Sequence, residues 1–136
     1  MALKITLKPG ERMILGGTVV TNANPTGCDL VIENKVPILR QKDILTEKEA
    51  DTPCRRIYFA IQLMYIDEDN HAAYHKVYWD LVRAVVEAAP STVALIDGIS
   101  EHILSRRYYQ ALKLTNRLID YEQEVIARVS DSIESV

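Results

Sequence analysis

From Leu3 to Lys8 the chain alternates apolar and polar positions, Leu3-Lys4-Ile5-Thr6-Leu7-Lys8. A period of two puts one set of side chains on a core and the other in water, and the Pro9-Gly10 that follows is turn chemistry. This predicts a first strand. Arg12-Met13-Ile14-Leu15 and Thr18-Val19-Val20-Thr21 stand on either side of Gly16-Gly17, which predicts two short strands joined by a hairpin turn, before a loop over Asn22-Ala23-Asn24-Pro25-Thr26-Gly27. Cys28-Asp29-Leu30-Val31-Ile32 and Val36-Pro37-Ile38-Leu39-Arg40 bracket a turn at Glu33-Asn34-Lys35, giving about five strands in the first 40 residues. Pro37 has no amide hydrogen to donate, so the last strand belongs at an edge.

Beyond Leu45 the period becomes helical. Thr46-Glu47-Lys48-Glu49 has the form of a capping box, and Thr52-Pro53 offers an N-cap with proline at the first helical position. Ile57, Ala60, Ile61 and Met64 then fall on one face, and Asp67-Glu68-Asp69-Asn70 ends this first long helix. A second helix is predicted from His71 to Ala89, with Tyr74, Val77, Tyr78, Leu81, Val85 and Ala88 inward and Pro90 as its stop. Ser91 is placed to cap a third, which carries Leu95, Ile96, Ile99 and Ile103. A fourth, from about Arg106, repeats Leu112, Ile119, Ile126 and Ile133 at intervals of seven, with Leu118 and Val125 beside them. Such a seam requires a partner helix. A polar tail at Ser130-Asp131-Ser132 follows. The reading is an α+β chain: a small antiparallel five-stranded β-module over residues 1–45, then a four-helix bundle over 46–136 that serves as a dimer or partner surface. Five short strands bury little core by themselves, so the module must pack on the helices or on another subunit.

The 136 residues suffice for one ordinary domain or a small module with a bundle, and a composition 48% hydrophobic and 26% charged is that of a folded globular chain. The net charge of -3 excludes a surface basic all over, yet it averages two unlike parts. Residues 1–45 carry six basic and four acidic side chains, hence +2, and the rest carry ten and fifteen, hence -5. Cys28 and Cys54 form no CxxC pair, which fits a reducing cytoplasm. No apolar run approaches the about 18 residues of a membrane span, and the alternating start builds no signal-peptide stretch, so neither a membrane location nor secretion is expected.

The candidate chemistry is sparse. Asp67, His71 and His75 at i, i+4 and i+8 are zinc-binding residue types, but a helix end intervenes and no third strong ligand follows, so no metal and no cofactor are expected. Asp67-Glu68-Asp69-Asn70 lacks the Gly and Glu of a calcium loop. Helical neighbours point about 100° apart, so Ser100-Glu101-His102 cannot meet as nucleophile, base and orienter. Gly16-Gly17 lacks the GK[ST] of a phosphate-binding loop. The chain carries no enzyme signature. Arg55-Arg56 and Arg106-Arg107 with Tyr108-Tyr109 have the types that grip and stack on RNA, against the commoner roles of ion pairing and core filling. Arg40 closes an apolar strand and precedes Gln41-Lys42, while Lys4 and Lys8 share a face of the first strand. If the first and last strands are neighbours, these charges gather on one edge, either to bind an anion or merely to protect the edge.

Four blocks in order carry a resemblance: Leu7-Lys8-Pro9-Gly10-Glu11-Arg12-Met13-Ile14-Leu15-Gly16, Val36-Pro37-Ile38-Leu39-Arg40-Gln41-Lys42-Asp43-Ile44-Leu45, Ala50-Asp51-Thr52-Pro53-Cys54-Arg55-Arg56-Ile57-Tyr58, and His102-Ile103-Leu104 with Tyr109-Gln110-Ala111-Leu112-Lys113. From the first strand to about Glu124 the chain resembles the flagellum biosynthesis repressors of the FlbT family. The resemblance implies a cytoplasmic, non-enzymatic regulator that associates with the 5′ untranslated leader of flagellin messenger RNA and represses its translation or promotes its decay. It implies as partners the flagellar regulator FlaF or flagellin. The strand module by itself resembles the carbon-storage regulator CsrA, an RNA-binding homodimer with interlocked strands. That likeness implies an RNA-reading edge made by Lys4, Ile5, Thr6, Lys8 and Arg40, which Lys42 adjoins. The chain has Leu7-Lys8 where CsrA-like proteins carry two arginines. The alternative is an adaptor whose acidic helical part grips a protein partner and acts on RNA only indirectly.

Overall fold

The computed structural model describes residues 2–134, with the side chains of residues 132–134 excepted. The architecture is α+β: five short strands, β1 (Leu3–Leu7), β2 (Arg12–Leu15), β3 (Thr18–Thr21), β4 (Cys28–Ile32) and β5 (Ile38–Arg40), precede four helices, α1 (Pro53–Ile66), α2 (His71–Ala88), α3 (Val93–Leu104) and α4 (Tyr108–Glu134). Two compact units result. One comprises the chain through Ile44 with Ile66–Glu68, the other Leu45–Tyr65 with the chain from Asp69 onward.

In the strand unit β1 pairs antiparallel with β4, from Leu3 opposite Ile32 to Leu7 opposite Cys28. A second antiparallel sheet has the order β3-β2-β5. Alternation turns Ile5 and Leu7 of β1 inward onto Met13 of β2, with Leu15, Leu30, Ile32 and Ile38 packed around them. The turn out of β1 is built by Lys8-Pro9-Gly10-Glu11: Pro9 presets its φ, Gly10 takes φ +75°, and Glu11 N donates to Lys8 O at 3.0 Å. These are the features of a type II turn, whose third residue must accept a positive φ. Gly16 at φ +59° serves the β2–β3 hairpin in the same way. Pro37 lies just before β5, which pairs with β2 alone and is an edge strand.

In the helical unit, Thr52 Oγ1 accepts from Arg55 N at 3.2 Å, so the Thr52-Pro53 start of α1 forms as expected. The Thr46–Glu49 capping box also closes, with Thr46 N donating to Glu49 Oε1 at 3.1 Å and Glu49 N to Thr46 Oγ1 at 3.3 Å, but it closes a turn and no helix follows it. The motif satisfies the amides of one turn, and propagation needs an apolar face that Lys48-Glu49 does not supply. Ser91 does not cap α3. It sits inside a 3-10 turn over Pro90–Thr92, where its hydroxyl bonds Tyr121 Oη at 2.7 Å, and Thr92 takes the N-cap position. Helix α3 ends in a Schellman motif, with Arg107 N donating to His102 O at 2.8 Å and Arg106 N to Ile103 O at 3.0 Å. Arg106 occupies the left-handed position at φ 59°, which is why α4 starts at Tyr108 and not at Arg106.

Ile57, Ile61, Met64, Tyr78, Ile99, Ile103, Leu112 and Leu118 are fully buried, whereas Val77, expected inward, is 49% exposed and Val82 is buried in its stead. Two buried polar side chains find partners within the unit: Tyr78 Oη bonds Ser100 Oγ at 2.7 Å, tying α2 to α3, and the Gln62 amide takes both backbone groups of Leu45 at 2.8 Å; His102 Nδ1 and Glu122 Oε1 are buried with no partner among the described residues. The seam on α4 divides. Leu112 and Leu118 are buried, while Val125, Ile126 and Val129 are exposed; Ile133 lies outside the described side chains. The polar Ser130-Asp131-Ser132 continues α4.

Buried Asn22 is the strand unit's most committed polar residue. Its Nδ2 donates to Leu7 O at 3.0 Å and Thr26 O at 2.9 Å, and its Oδ1 accepts from Asn24 N at 2.9 Å. Replacing Asn22 with Ala strands these groups and is expected to cost about 2–3 kcal/mol in urea unfolding; a loss below about 0.5 kcal/mol contradicts the role.

Candidate nucleic-acid interface

The strand unit gathers the candidate residues in one region, though by a different route from strand pairing. β1 and β5 belong to different sheets and share no ladder. Arg40, the last residue of β5, instead spans to β1 with its side chain: Nη2 donates to Thr6 O at 2.9 Å. The same nitrogen lies 3.3 Å from Glu11 Oε2. Glu11 is itself fixed, because Lys8 N donates to its Oε1 at 2.8 Å across the type II turn. One carboxylate therefore holds the turn with one oxygen and aims the guanidinium with the other.

Lys4 and Thr6 stand on the exposed face of β1, with Lys8 continuing that face into the turn. Ile5 points the other way and is buried at 6% exposure, so it offers this edge its backbone and not its side chain. Opposite Thr6, Asp29 accepts from the Thr6 hydroxyl at 2.6 Å and pairs with Lys4 Nζ at 3.5 Å. The Thr6 hydroxyl first, and the Lys4 charge after it, hold the Asp29 carboxyl below its ordinary value.

Charge is thus partly cancelled in place. Asp29 answers Lys4 and Glu11 answers Arg40, while Lys8 and Lys42 make no ion pair among the described residues. These two lysines flank an open recess of about 440 Å³, whose lining includes Pro9, Gly10, Glu11 and Gln41. Gln41 is not among the edge residues that the resemblance implies. Its Oε1 accepts from Arg12 N at 2.6 Å and anchors the short 3-10 turn, Gln41–Asp43, that carries Lys42. An arginine fork, two lysines and an unpaired strand edge together suit an anionic, single-stranded ligand.

The other candidates are used structurally. His71 Nε2 bonds Met64 O at 2.7 Å and its ring packs on Tyr108, and no three His, Cys, Asp or Glu side chains among the described residues converge as metal ligands. Ser100 is taken by Tyr78. Arg55 pairs with Asp51 at 2.8 Å, and Tyr109 packs on Tyr65 with Lys113 over its ring. No helix among the described residues is long and apolar enough to cross a membrane.

A protein-family model described as flagellar protein FlbT matches residues 3–126 of the chain. Probable flagellum biosynthesis repressor protein FlbT 1 of Bradyrhizobium diazoefficiens is 45% identical over 125 residues, covering 92% of this chain and 85% of that protein. The flagellum biosynthesis repressor protein FlbT of Caulobacter vibrioides is 38% identical over 137 residues, covering 99% and 96%. A probable repressor of the same name from Rhodopseudomonas palustris is 41% identical over 128 residues, covering 94% and 100%. No solved structure matches.

The Lys8 amide first, and Arg40 after it, hold the Glu11 carboxyl below its ordinary value of 4.5. A depressed carboxylate contributes its stability above the ordinary value and loses it as pH falls through the lower folded value. A carboxyl-resolved NMR titration should therefore place the Glu11 midpoint below 4.5, and Arg40→Gln should return it only part of the way, because the Lys8 amide remains. A midpoint at or above the ordinary value contradicts the assigned geometry.

Proposed function

The chain belongs to the FlbT family of flagellar proteins, and on that premise we propose that it controls flagellin synthesis after transcription by binding the 5′ untranslated leader of flagellin messenger RNA along the β1 edge. The family is one of regulators of flagellum biosynthesis and not of enzymes. Binding at the leader represses translation or promotes decay of the message.

The observation that carries this reading is the recess flanked by Lys8 and Lys42, together with Arg40, whose guanidinium reaches Thr6 O on the unpaired edge of β1. Unstacked bases offer hydrogen-bonding edges that match free strand amides and carbonyls, and phosphates match the lysines. Arg40 keeps guanidinium N–H groups beyond those bonded to Thr6 and Glu11, so it presents a fork without first having to be ordered. The salt-sensitive part of the affinity comes mainly from Lys8 and Lys42, since Lys4 and Arg40 arrive with their own counter-charges.

Measured by fluorescence anisotropy with a labelled flagellin leader RNA, Lys8→Glu and Lys42→Glu are each expected to weaken binding by about tenfold or more with unchanged far-UV circular dichroism. Lys8→Glu should also reduce the salt slope by about 1. Undiminished affinity in both variants removes the site.

The charge of -5 over residues 46–136 favours a second reading, in which the helical unit holds FlaF or flagellin and any effect on RNA is indirect. Its mark is purified protein that ignores the leader until such a partner is added.

A further inference from the structure

The second half of α4 is built for a contact that one chain does not supply. Glu122, Val125, Ile126 and Val129 recur at i, i+3, i+4 and i+7, one continuous stripe. The face that buries Leu118 at 0% exposure leaves Val125 at 37%, Ile126 at 47% and Val129 at 54%. At 27 residues α4 is about 40 Å long, more than twice the length of the 12-residue α3 packed against it. Beside the stripe lies an apolar groove of about 200 Å³, floored by Pro53 and Cys54 of α1 and walled by Ala84 and Ala88 of α2 and Val125 and Ile126 of α4. Pockets that take cofactors are commonly 300–1,000 Å³; this one has room for a few side chains from another helix.

Glu122 lines the groove. It accepts from Cys54 N with Oε2 at 3.1 Å, capping α1, and the Cys54 thiol lies against the same carboxylate, but its Oε1 is buried beneath the groove with no hydrogen-bond partner among the described residues. A buried carboxylate oxygen left in that state is costly until a donor or cation reaches it. The chain carries a suitable one. Arg128 flanks the stripe, is 75% exposed, and among the described residues makes one ion-pair contact, at 3.9 Å with exposed Glu124, which is worth little in water.

We propose that this face binds a second copy of the chain, with the two α4 helices antiparallel about a two-fold axis at Val125. Antiparallel packing about that axis sets Glu122, three residues before it, opposite Arg128 of the second copy, three residues after it, and symmetry makes the pairing twice. Val125 meets its own counterpart, and Val129 and Ile126 cover the grooves. The two-fold meets both requirements at once: it covers the exposed aliphatic stripe and sets a guanidinium beside each Glu122 carboxylate, whose buried Oε1 turns outward to meet it. The inference is independent of the RNA reading, since every residue it uses lies in the helical unit.

Light scattering over a concentration series of the full chain tests it. Wild type is expected to be a dimer, and Val125→Asp and Arg128→Glu are each expected to weaken it about tenfold or more with unchanged circular dichroism. Because Glu122 also caps α1, the register is tested without altering it: in a Cys28→Ser background, Val125→Cys should form a self-crosslink under mild oxidant, and Asp120→Cys, on the opposite face of α4, should not. Cys54 does not compete, because burial first and the Glu122 charge after it push its thiol up to about 12 and keep it protonated. A monomer at all concentrations overturns the proposal and leaves the face to a different protein. So does a dimer that survives Val125→Asp, which uses another surface. A dimer lost in Val125→Asp but indifferent to Arg128→Glu and uncrosslinked at position 125 overturns the antiparallel pairing.

Discussion

The strand unit depends on one carboxylate. Glu11 closes the type II turn through Lys8 N and at the same time fixes Arg40, whose guanidinium then bonds the free edge of β1 at Thr6 O. Two small sheets that share no ladder are tied by this side chain and by Asn22, which reaches Leu7 O from the end of β3, and the shared core of Ile5, Leu7 and Met13 lies between them. A two-stranded sheet is marginal by itself, so cross-sheet bonds of this kind are what allow β1 and β4 to persist. The residues that make the fold possible are also those that make the edge basic and ordered. Function and stability are therefore coupled at Arg40 and much less so at Lys8 and Lys42.

The helical unit obeys a related constraint, that buried polar groups must be paired. Tyr78 with Ser100 and Gln62 with Leu45 meet it within the chain. Glu122 meets it with one oxygen only, at the place where the apolar face of α4 emerges into solvent. That coincidence of an orphan acceptor with an exposed aliphatic stripe is what the proposed contact between two copies rests on.

Much of this was legible in the sequence because the signals were local. Alternation located β1, the Gly16-Gly17 hairpin located β2 and β3, and Thr52-Pro53 located the start of α1. The misplaced features were those that local rules cannot settle. Thr46–Glu49 made its capping box on a turn, Ser91 was taken by Tyr121, and Arg106 filled a left-handed position where glycine is the usual residue, delaying α4. The site was legible as a set of residue types, Lys4, Lys8, Arg40 and Lys42, but not as a circuit. Nothing in the spacing of Glu11 and Asp29 says that they neutralise Arg40 and Lys4, because those pairings cross between strands far apart in sequence. Ile5 illustrates the limit of carrying a motif over whole: its place on β1 is right for an edge, yet its side chain belongs to the core.

The electrostatic picture turns on cancellation. Residues 1–45, of formal charge +2, present Lys8 and Lys42 without an ion pair among the described residues, so RNA binding is expected to be direct and to depend on salt only moderately. The most direct test is the affinity of the purified full chain, with no other protein present, for a flagellin leader RNA across a range of salt concentration. The account expects binding whose logarithm falls against log salt with a slope of about -1 to -3, the range for two to four phosphate contacts on a single strand. Absence of binding, or affinity indifferent to salt, would contradict it.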